Sequence, residues 1–457
     1  MPPAPIGEEW KVEELNGDLL VLGGGMAGMS AAASASCGGA RVVLLERAPE
    51  LGGSAVLSGG NLQTTATFET WKENNPLGNE TIGRAIVDGF PEAIAWMASL
   101  GGVDLGPDNV WLTTYPHMHG YRMDILAYIR RCQAIVTSGG GFIVTNTVTK
   151  ALTRDGSDRV TGARVMTSDG EVQVSARHTV LATGGFAASA EMRATYINRN
   201  AARMLVRSHP YNRGDGIRLG LEAGAAISPH TDGFYGHLIS SPVNRWSPTE
   251  FARLSQYQSN FGILVNVFGE RFTDESLGDI YNTQALVRQP GLRAACIVDQ
   301  RIRRTYMSTS HAVGLALIDR FAEAEGNGGH YVRADSIPEL ARHLESWGFD
   351  RGALLRTIYS YNTYSLLPAD PPRRARYEPL LEPPYYAVEV QPAITFTHGG
   401  VQIDEAARVL DVQGTPIPGL LAAGSDAGGV YHKGYCGGLA AALVLGRRAS
   451  KTALECS

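Results

Sequence analysis

A run of closely spaced glycines followed by a single acid is the first feature of this sequence that could do chemistry. Gly23, Gly25 and Gly28 have the spacing of a nucleotide-binding turn, and Glu46 follows 18 residues after Gly28. In such a turn the first glycine allows a tight bend, the second lets the backbone approach a pyrophosphate, and the third lets a helix pack on a strand. The acid would accept a hydrogen bond from a ribose hydroxyl. This spacing predicts a dinucleotide site.

The residues around the glycines predict the strand, turn and helix that must position them. Leu19–Leu22 is a short apolar run, and the small residues of Met26–Cys37 favour a helix. Arg41–Leu45 has the pattern of a second buried strand and ends at the acid. The unpaired amides and the dipole at the start of the helix would hold the pyrophosphate.

Three later segments could lie along the same nucleotide. The loop after the acid, ERAPELGGSAVLSGGN, is rich in glycine and serine. Thr179–Phe186 is an apolar strand that enters a glycine turn, and Leu420–Ala423 is a strand that precedes a glycine loop. An alanine-rich helix starts near Gly438.

The composition narrows the class of protein. Of the 457 residues 44% are hydrophobic and 19% are charged, which predicts two or three globular domains of about 150 residues each. The formal net charge of -5, with lysine and arginine scattered along the chain, argues against a nucleic-acid partner. No signal-peptide pattern or long apolar run is visible, so we expect no membrane span and a cytoplasmic location. The five cysteines lack paired spacing, and we expect neither a metal site nor a redox disulfide.

Several ordered motifs resemble the succinate dehydrogenase and fumarate reductase flavoprotein superfamily. Besides the glycine turn, they are VRSHPYNRGDGIRLGLEAGA, GILVNVFGERFTDES, ITFTHGGVQID and GLLAAGSDAGG. The chain looks most similar to the soluble branch that contains 3-ketosteroid Δ1-dehydrogenases and tricarballylate dehydrogenase. The resemblance implies an α/β fold: a Rossmann-type (GR2-like) discontinuous FAD-binding domain with an inserted α+β cap domain that carries the substrate.

The expected boundaries follow from that resemblance and from composition. The first part of the FAD-binding domain covers residues 1–233, the cap covers 234–384, and the C-terminal return covers 385–457. Leu366–Pro384 contains six prolines and predicts an extended connector at the end of the cap. SIPELARHLESWG and RGALLRTIYSYNTY have helical spacing and should pack inside the cap. The active site should lie between the cap and the flavin.

The resemblance implies FAD as the cofactor, bound without a covalent link. Relatives in membrane complexes carry a histidine at the position that matches Gly53, and a glycine cannot form that link. We expect the cofactor to contact Gly23, Gly25, Met26, Ala27, Gly28, Glu46, Arg47, Gly53, Ser54, Ser58, Gly59, Gly60, Thr183, Gly184, Gly185, Asp215, Gly424, Ser425, Asp426, Gly438 and Leu439.

The resemblance also implies a reaction class. In this superfamily a hydride passes between the flavin and a carbon whose neighbour is acidified by a carbonyl or carboxylate, so the protein must supply an acid or base and donors for an enolate oxygen. The basic residues by which fumarate reductases hold carboxylates and donate a proton fall here on Phe396 or its immediate neighbours, on Tyr435 and on Asp279. An arginine clamp cannot be exchanged for tyrosine without losing carboxylate recognition. A small molecule with a neutral carbonyl is therefore the favoured substrate.

Four residues are candidates for the chemistry. By likeness to ketosteroid dehydrogenases, Tyr435 would polarise the substrate carbonyl together with the amide of Gly438 or Leu439, and Tyr281 would act as the base. His398 would lie close to the flavin face as an acid–base group, and Arg288 is a candidate for binding a carboxylate. The segment TTYPHMHGYRMD, from Thr113 to Asp124, should form a loop that lines the pocket.

Two alternatives stay open at this point. The first is a dicarboxylate or tricarboxylate dehydrogenase, or a fumarate-reductase-like enzyme, in which Arg288, Arg207 and Arg213 bind carboxylates. The second is an FAD-binding protein without turnover. The sequence contains no second complete glycine motif and no haem or iron–sulfur spacing, so the electron donor or acceptor would be a diffusible partner of unknown identity.

Overall fold

The structure is a computed structural model that describes residues 15–308, 310–363, 370–375 and 377–455. The N-terminal segment 1–14 and Cys456 lie outside the described residues, as does part of the predicted connector Leu366–Pro384. No helix within the described residues is long and apolar enough to cross a membrane.

Strands and helices are interspersed along the described part of the chain. The strands are β1 (Asn16–Leu22), β2 (Val42–Leu45), β3 (Asn61–Thr65), β4 (Met118–Arg122), β5 (Phe142–Val144), β6 (Val148–Arg154), β7 (Val160–Thr167), β8 (Gly170–Leu181), β9 (Leu205–Val206), β10 (Phe234–Ser240), β11 (Ile263–Asn266), β12 (Ala294–Asp299), β13 (Tyr331–Ala334), β14 (Tyr385–Thr397), β15 (Val401–Gln402), β16 (Arg408–Leu410), β17 (Pro416–Ala422) and β18 (Ala427–Gly428). The helices are α1 (Met26–Cys37), α2 (Phe68–Asn74), α3 (Glu80–Ser99), α4 (Ile125–Ser138), α5 (Ala190–Tyr196), α6 (Asp215–Glu222), α7 (Phe251–Leu254), α8 (Asp279–Leu286), α9 (Gln300–Tyr306), α10 (Arg320–Gly326), α11 (Ile337–Ser346), α12 (Arg351–Asn362) and α13 (Gly438–Glu455).

The larger sheet is built on the two strands that the glycine motif predicted. Its order is β16-β17-β8-β1-β2-β5, with β7 paired to β8 and β6 paired to β7. β1 runs parallel to both neighbours, so that Leu19 lies opposite Val42 on one side and His178 on the other. All four residues of β2 are buried, as expected for a parallel strand that is covered on both faces. The carboxyl ends of these strands form the edge at which such sheets bind nucleotides.

Small residues let α1 approach both the sheet and α13 closely. A Cβ atom added to Gly28 would lie 1.8 Å from the carbonyl oxygen of Gly23, and one added to Gly446 would lie 2.4 Å from the carbonyl oxygen of Ala27. Gly28 is therefore required by the packing of the helix on the turn, which is the role that the sequence predicted for the third glycine. α13 returns from the far end of the chain to pack beside α1.

A second sheet forms the inserted part of the fold. Its order is β10-β14-β12-β11, and β9 and β13 also pair with β14. The predicted helices correspond to α11 and α12, whose buried residues Leu340, Leu344, Leu354 and Ile358 pack in the core of this region. The helical spacing of these two segments was thus interpreted correctly.

The second predicted boundary needs a correction. The division before Tyr385 assigns β14 to the C-terminal return, but β14 pairs with β12 along Tyr385–Val390 and with β10 along Val390–Thr397. The chain therefore leaves the second sheet after Thr397. The prolines mark the end of the helical segment rather than the change of sheet, because a strand of 13 residues follows them.

Candidate active site

A cleft of about 630 Å³ runs between the edge of the larger sheet and the inserted sheet. We call one part of it the nucleotide half; its lining residues come from the β1–α1 turn, the loops after β2 and β8, and the return segment around Gly424 and Leu439. The other part is the cap half, and its lining residues are Tyr235, Pro248, Thr249, Phe251, Ala252, Tyr257, His311, Ala312, Val313, Leu315 and Phe396, together with Trp111, Leu112 and Tyr115.

The start of α1 offers unpaired backbone donors to the nucleotide half. Gly25 caps the helix without a side-chain hydrogen bond, and the first turn contains no acid. A Cβ atom at Gly25 would meet only the carbonyl oxygen of Gly52, at 3.9 Å, so the space before these amides stays open. Gly23 has φ = 110°, which lets the chain turn into the helix. These features suit the binding of a phosphate group.

Glu46 is held rigidly at the end of β2. Its Oε2 accepts a hydrogen bond of 2.6 Å from the Gly24 amide, and its Oε1 accepts one of 2.7 Å from the Ala48 amide. The side chain is only 8% exposed, yet it lines the cleft. Each carboxylate oxygen keeps a second lone pair that can accept from a hydroxyl group. Glu46 can therefore bind a ribose.

Most of the predicted cofactor residues line the cleft, and four do not. The four are Gly28, Gly60, Gly185 and Asp426. Asp426 is fully buried and accepts hydrogen bonds from the Gly185 amide at 2.9 Å and from the Thr183 hydroxyl at 3.1 Å. It also accepts from the Thr183 amide. Asp426 thus ties the return loop to the turn after β8, and burial raises the pKa of its carboxyl group.

The nucleotide half fits FAD by the chemistry of its donors and acceptors. The amides of α1 suit the pyrophosphate and Glu46 suits a ribose. Gln63 adds an unpartnered group: it is fully buried and lines the cleft, and neither its Nε2 nor its Oε1 has a hydrogen-bond partner among the described residues. A buried amide of this kind calls for a ligand that can both donate and accept.

Tyr435 lies where the two halves of the cleft meet. Its ring stacks on Tyr235, with 4.1 Å between centroids, and makes an edge contact with Tyr115 at 5.9 Å. Burial raises the pKa of Tyr435 to about 12, and the facing Gly438 amide and the Arg207 charge oppose that shift. The hydroxyl is consequently protonated at neutral pH and can donate a hydrogen bond.

A second tyrosine of the cap half belongs to a buried polar chain. The Tyr235 hydroxyl lies 3.0 Å from Nε2 of His237, and Nδ1 of His237 is hydrogen-bonded to Asp279. The other oxygen of Asp279 accepts a hydrogen bond of 2.9 Å from the Tyr115 hydroxyl. Three segments that are distant in sequence meet here: the loop before β4, strand β10 and the start of α8.

Arg207 is the one cleft-lining residue among the three arginines considered from the sequence. Its guanidinium lies over the Phe251 ring, 4.6 Å from the centroid, and donates to the carbonyl of Leu57. Its Nε has no hydrogen-bond partner among the described residues. The positive charge lies close enough to Tyr435 and Tyr235 to act on the pKa of both. Arg207 can therefore bind an oxygen atom or an anion beside these tyrosines.

The other predicted catalytic residues do not line the cleft. The Tyr281 hydroxyl donates to the carbonyl of Asn74 at 3.0 Å. His398 donates from Nδ1 to the carbonyl of His432 at 2.9 Å, and burial lowers its pKa to about 4, so it is neutral. Arg288 is half exposed and forms an ion pair of 2.6 Å with Asp232. Arg213 likewise lies outside the lining and donates to Pro210.

Tyr235 and His237 are the functional candidates that sequence reasoning missed. The signal was present in the segment FYGHLIS, where two polar aromatic residues two positions apart interrupt an otherwise apolar strand. Residues two apart on a strand share a face. The segment Thr113–Asp124, predicted to be a pocket-lining loop, does contribute Tyr115 and Arg122 to the cleft, but its residues Met118–Arg122 form strand β4 and not a loop. No group of three His, Cys, Asp or Glu side chains that could hold a metal occurs within the described residues.

Comparison with known proteins places these features in a family. The model of the FAD binding domain family matches residues 18–441. A probable fumarate reductase of Shewanella frigidimarina (strain NCIMB 400) is 29% identical over 96% of this chain and 74% of its own. A urocanate reductase of Eggerthella lenta is 27% identical over 99% of this chain and 76% of its own. Among solved structures, the 3-ketosteroid delta1-dehydrogenase of Sterolibacterium denitrificans has a TM-score of 0.75 at 21% identity and is similar over 97% of this chain and 100% of its own.

Proposed function

Because this chain belongs to the FAD binding domain family and is an FAD-dependent oxidoreductase acting on carbon–carbon bonds, we propose that it desaturates, or in reverse reduces, the bond next to a carbonyl group of a small ring-bearing molecule. The observation that carries this proposal is the position of Tyr435. The protonated Tyr435 hydroxyl and the Arg207 charge lie at the junction of the two halves of the cleft, and the Gly438 amide donates to that hydroxyl. Such donors stabilise the oxygen of an enolate.

The nucleotide half would hold FAD without a covalent link. The amides of α1 would bind the pyrophosphate, Glu46 would bind a ribose, and Gln63 would pair with a polar edge of the ring system. Gly53 lines this half and offers no side chain for a covalent bond. When bound, FAD supplies the group that accepts or donates a hydride.

Tyr435 would polarise the substrate carbonyl. Its pKa of about 12 keeps the proton on the hydroxyl, so that it donates rather than accepts. In a cleft from which water is excluded, a donor of this kind acts on the developing negative charge more strongly than in bulk solvent. Arg207 adds a positive charge on the same side.

Tyr235 would exchange the proton on the carbon beside the carbonyl. Its ring lies against Tyr435, so a carbonyl oxygen bound by Tyr435 would bring the neighbouring carbon within reach of Tyr235. Tyr235 thereby takes the role that the sequence suggested for Tyr281, whose hydroxyl is bound to Asn74 outside the lining.

The walls of the cap half favour a flat, largely apolar substrate. Trp111, Phe251, Tyr257 and Phe396 present ring faces and edges to the cleft. Aromatic walls of this kind bind planar rings well and exclude water. We propose that the inserted sheet and its helices form the substrate-binding cap and that a diffusible cytoplasmic partner supplies or removes electrons.

A carboxylate-bearing substrate is a second candidate, supported by the unpartnered Nε of Arg207. Arg288 and Arg213 lie outside the lining, and Arg288 is already paired with Asp232. A substrate with one carboxylate is therefore favoured over a dicarboxylate or tricarboxylate in this alternative.

The test is anaerobic mixing of the FAD-loaded protein with single compounds while the flavin absorbance is recorded. Saturated 3-ketosteroids and cyclohexanones should bleach the oxidised flavin, and cyclic enones should restore the colour of the reduced flavin. Tricarballylate and succinate serve as matched carboxylate probes. If only the carboxylates bleach the flavin, the proposed substrate class is wrong.

A further inference from the structure

A chain of four hydrogen-bonded side chains leads from the cleft into the interior of the cap. Tyr235 and Tyr115 line the cleft, whereas His237 and Asp279 lie behind them and are 0% and 2% exposed. The contacts run from the Tyr235 hydroxyl to Nε2 of His237, from Nδ1 of His237 to Asp279, and from Asp279 to the Tyr115 hydroxyl. The proposed function assigns no role to the buried His237 and Asp279.

One arrangement of protons in this chain leaves the Tyr235 oxygen able to take a proton from the cleft. In that arrangement Asp279 accepts from Nδ1 of His237 and from the Tyr115 hydroxyl. Nε2 of His237 then carries no proton and is an acceptor. The Tyr235 hydroxyl therefore donates its proton to Nε2 at 3.0 Å. The lone pairs of the Tyr235 oxygen stay available to the cleft.

Tyr235 needs such an acceptor because it does not ionise by itself at neutral pH. Burial, together with the neighbouring Tyr435, Tyr257 and Asp279, raises its pKa well above 10. It can take a proton from carbon only if its own proton leaves at the same time. The imidazole is placed to receive that proton, and the adjacent carboxylate stabilises the resulting imidazolium.

Packing alone does not explain why His237 and Asp279 are buried together. Moving a carboxylate out of water costs several kcal/mol, and a buried ion pair is often no more stable than apolar residues of the same volume. Phe251 and Tyr257 already contact the His237 ring, with centroids at 5.1 and 4.7 Å, so an apolar residue would pack well at that position.

We propose that His237 and Asp279 form a proton relay behind Tyr235, with His237 as the proton acceptor and Asp279 as the group that fixes its tautomer. This inference rests on the proposed function. In the desaturating direction, the C–H bond next to the carbonyl breaks and its proton joins the Tyr235 oxygen, while the original Tyr235 proton moves to Nε2. The electron pair of that bond enters the new carbon–carbon double bond as the neighbouring carbon gives up its hydride to the acceptor that the cofactor supplies.

The proton relay and the proposed function can be tested separately by measuring proton exchange apart from hydride transfer. The FAD-loaded protein is incubated in D₂O with cyclohexanone or a saturated 3-ketosteroid, and deuterium entry beside the carbonyl is followed by NMR. Flavin bleaching by the same probe is recorded in parallel, and retained FAD and an unchanged melting temperature identify folded variants.

Tyr235→Phe should lower both deuterium entry and flavin bleaching by about 100-fold or more, the typical contribution of a positioned acid or base. Asp279→Asn, which keeps the volume of the side chain, should lower kcat by about 100-fold and leave KM unchanged, because it alters the tautomer and not the binding surface. Tyr281→Phe is the matched control: it removes a hydroxyl from the same helix as Asp279 but outside the cleft lining. It should leave both rates unchanged.

The outcomes test the proton relay and the proposed function separately. If the native protein bleaches its flavin and Asp279→Asn does so at the native rate, the relay is wrong and the proposed function stands. If the native protein exchanges deuterium in a manner that depends on Tyr235 and Asp279 but no probe bleaches the flavin, the relay stands and the proposed function is wrong. Absence of both in the native protein overturns both.

Discussion

The nucleotide half and the cap half of the cleft are built in different ways. In the nucleotide half the pyrophosphate would meet backbone amides, and glycine is needed where a side chain would collide, as at Gly28, or where open space is needed, as at Gly25. Around the cap half the functional groups are side chains, and Tyr115, Tyr235, Asp279 and Tyr435 come from four separate segments. The pyrophosphate turn is thus a local property of the chain, whereas the chemistry on the substrate depends on tertiary packing.

Tyr435→Phe should have the largest effect on the rate of flavin bleaching. Removing the donor that faces the substrate oxygen should slow flavin bleaching by about 100- to 1,000-fold, because a single such donor is worth that much in catalysis. FAD should stay bound, since the nucleotide half is intact. Stopped-flow absorbance measures the rate. Tyr431→Phe, in the same loop but outside the cleft lining, should have a much smaller effect, and equal slowing by both variants would contradict the role of Tyr435.

Gly28→Ala should affect the nucleotide half of the cleft. The new Cβ atom would lie 1.8 Å from the carbonyl of Gly23, so the turn must move. Overpacking of this kind costs about 1–3 kcal/mol of unfolding free energy, and the shifted turn should release FAD. Urea unfolding and the flavin content of the purified variant measure the two effects. Gly156→Ala, at a glycine without a positive φ whose added Cβ would meet nothing within 4 Å, is the control for cofactor loss; a Gly28→Ala protein with full FAD content would contradict the packing argument.

The pyrophosphate turn and the ribose acid of the nucleotide half could be predicted from the sequence because their residues are close together along the chain. Gly23, Gly25, Gly28 and Glu46 lie within one strand–turn–helix–strand unit, and periodicity was enough to assign that unit. The cap half could not be predicted in this way. His237 meets Asp279 only after β10 and α8 have packed together, and the resemblance of motifs alone pointed to Tyr281, two residues beyond Asp279 on that helix.

The end of the cap likewise could not be predicted from local sequence. The prolines before Tyr385 gave a strong local signal for a boundary, but the chain continues in the inserted sheet as far as Thr397. Strand pairing over that distance depends on partners in β10 and β12, which local composition does not reveal.

Acid should weaken the folded protein through the buried histidines. Burial lowers the pKa of His311 and of His398 to about 4 each, below the value of about 6.5 of an unfolded chain. Their contribution to stability is therefore fully present above pH 6.5 and is lost as the pH falls toward 4, by about 1.4 kcal/mol per pH unit for each histidine. Urea unfolding at a series of pH values measures this slope. The slope should be shallower in His311→Gln, and an unchanged slope would show that His311 is protonated in the folded state.

Arg288→Ala should have the smallest effect. Arg288 is half exposed and its ion pair with Asp232 lies at the surface, so its loss should change the unfolding free energy by no more than about 1 kcal/mol. Bleaching of the flavin by ketones should be unchanged. A loss of bleaching specific to carboxylate probes would instead favour the second candidate function and would give Arg288 a place in substrate binding.

The most direct test of the central claim is identification of the product from one anaerobic turnover. The oxidised, FAD-loaded protein is mixed with a saturated 3-ketosteroid or cyclohexanone, and the product is analysed by mass spectrometry and NMR. We expect one equivalent of product per flavin bleached, lighter by two hydrogens and carrying the new double bond next to the carbonyl. Bleaching without such a product, or oxidation at a position remote from the carbonyl, would contradict it.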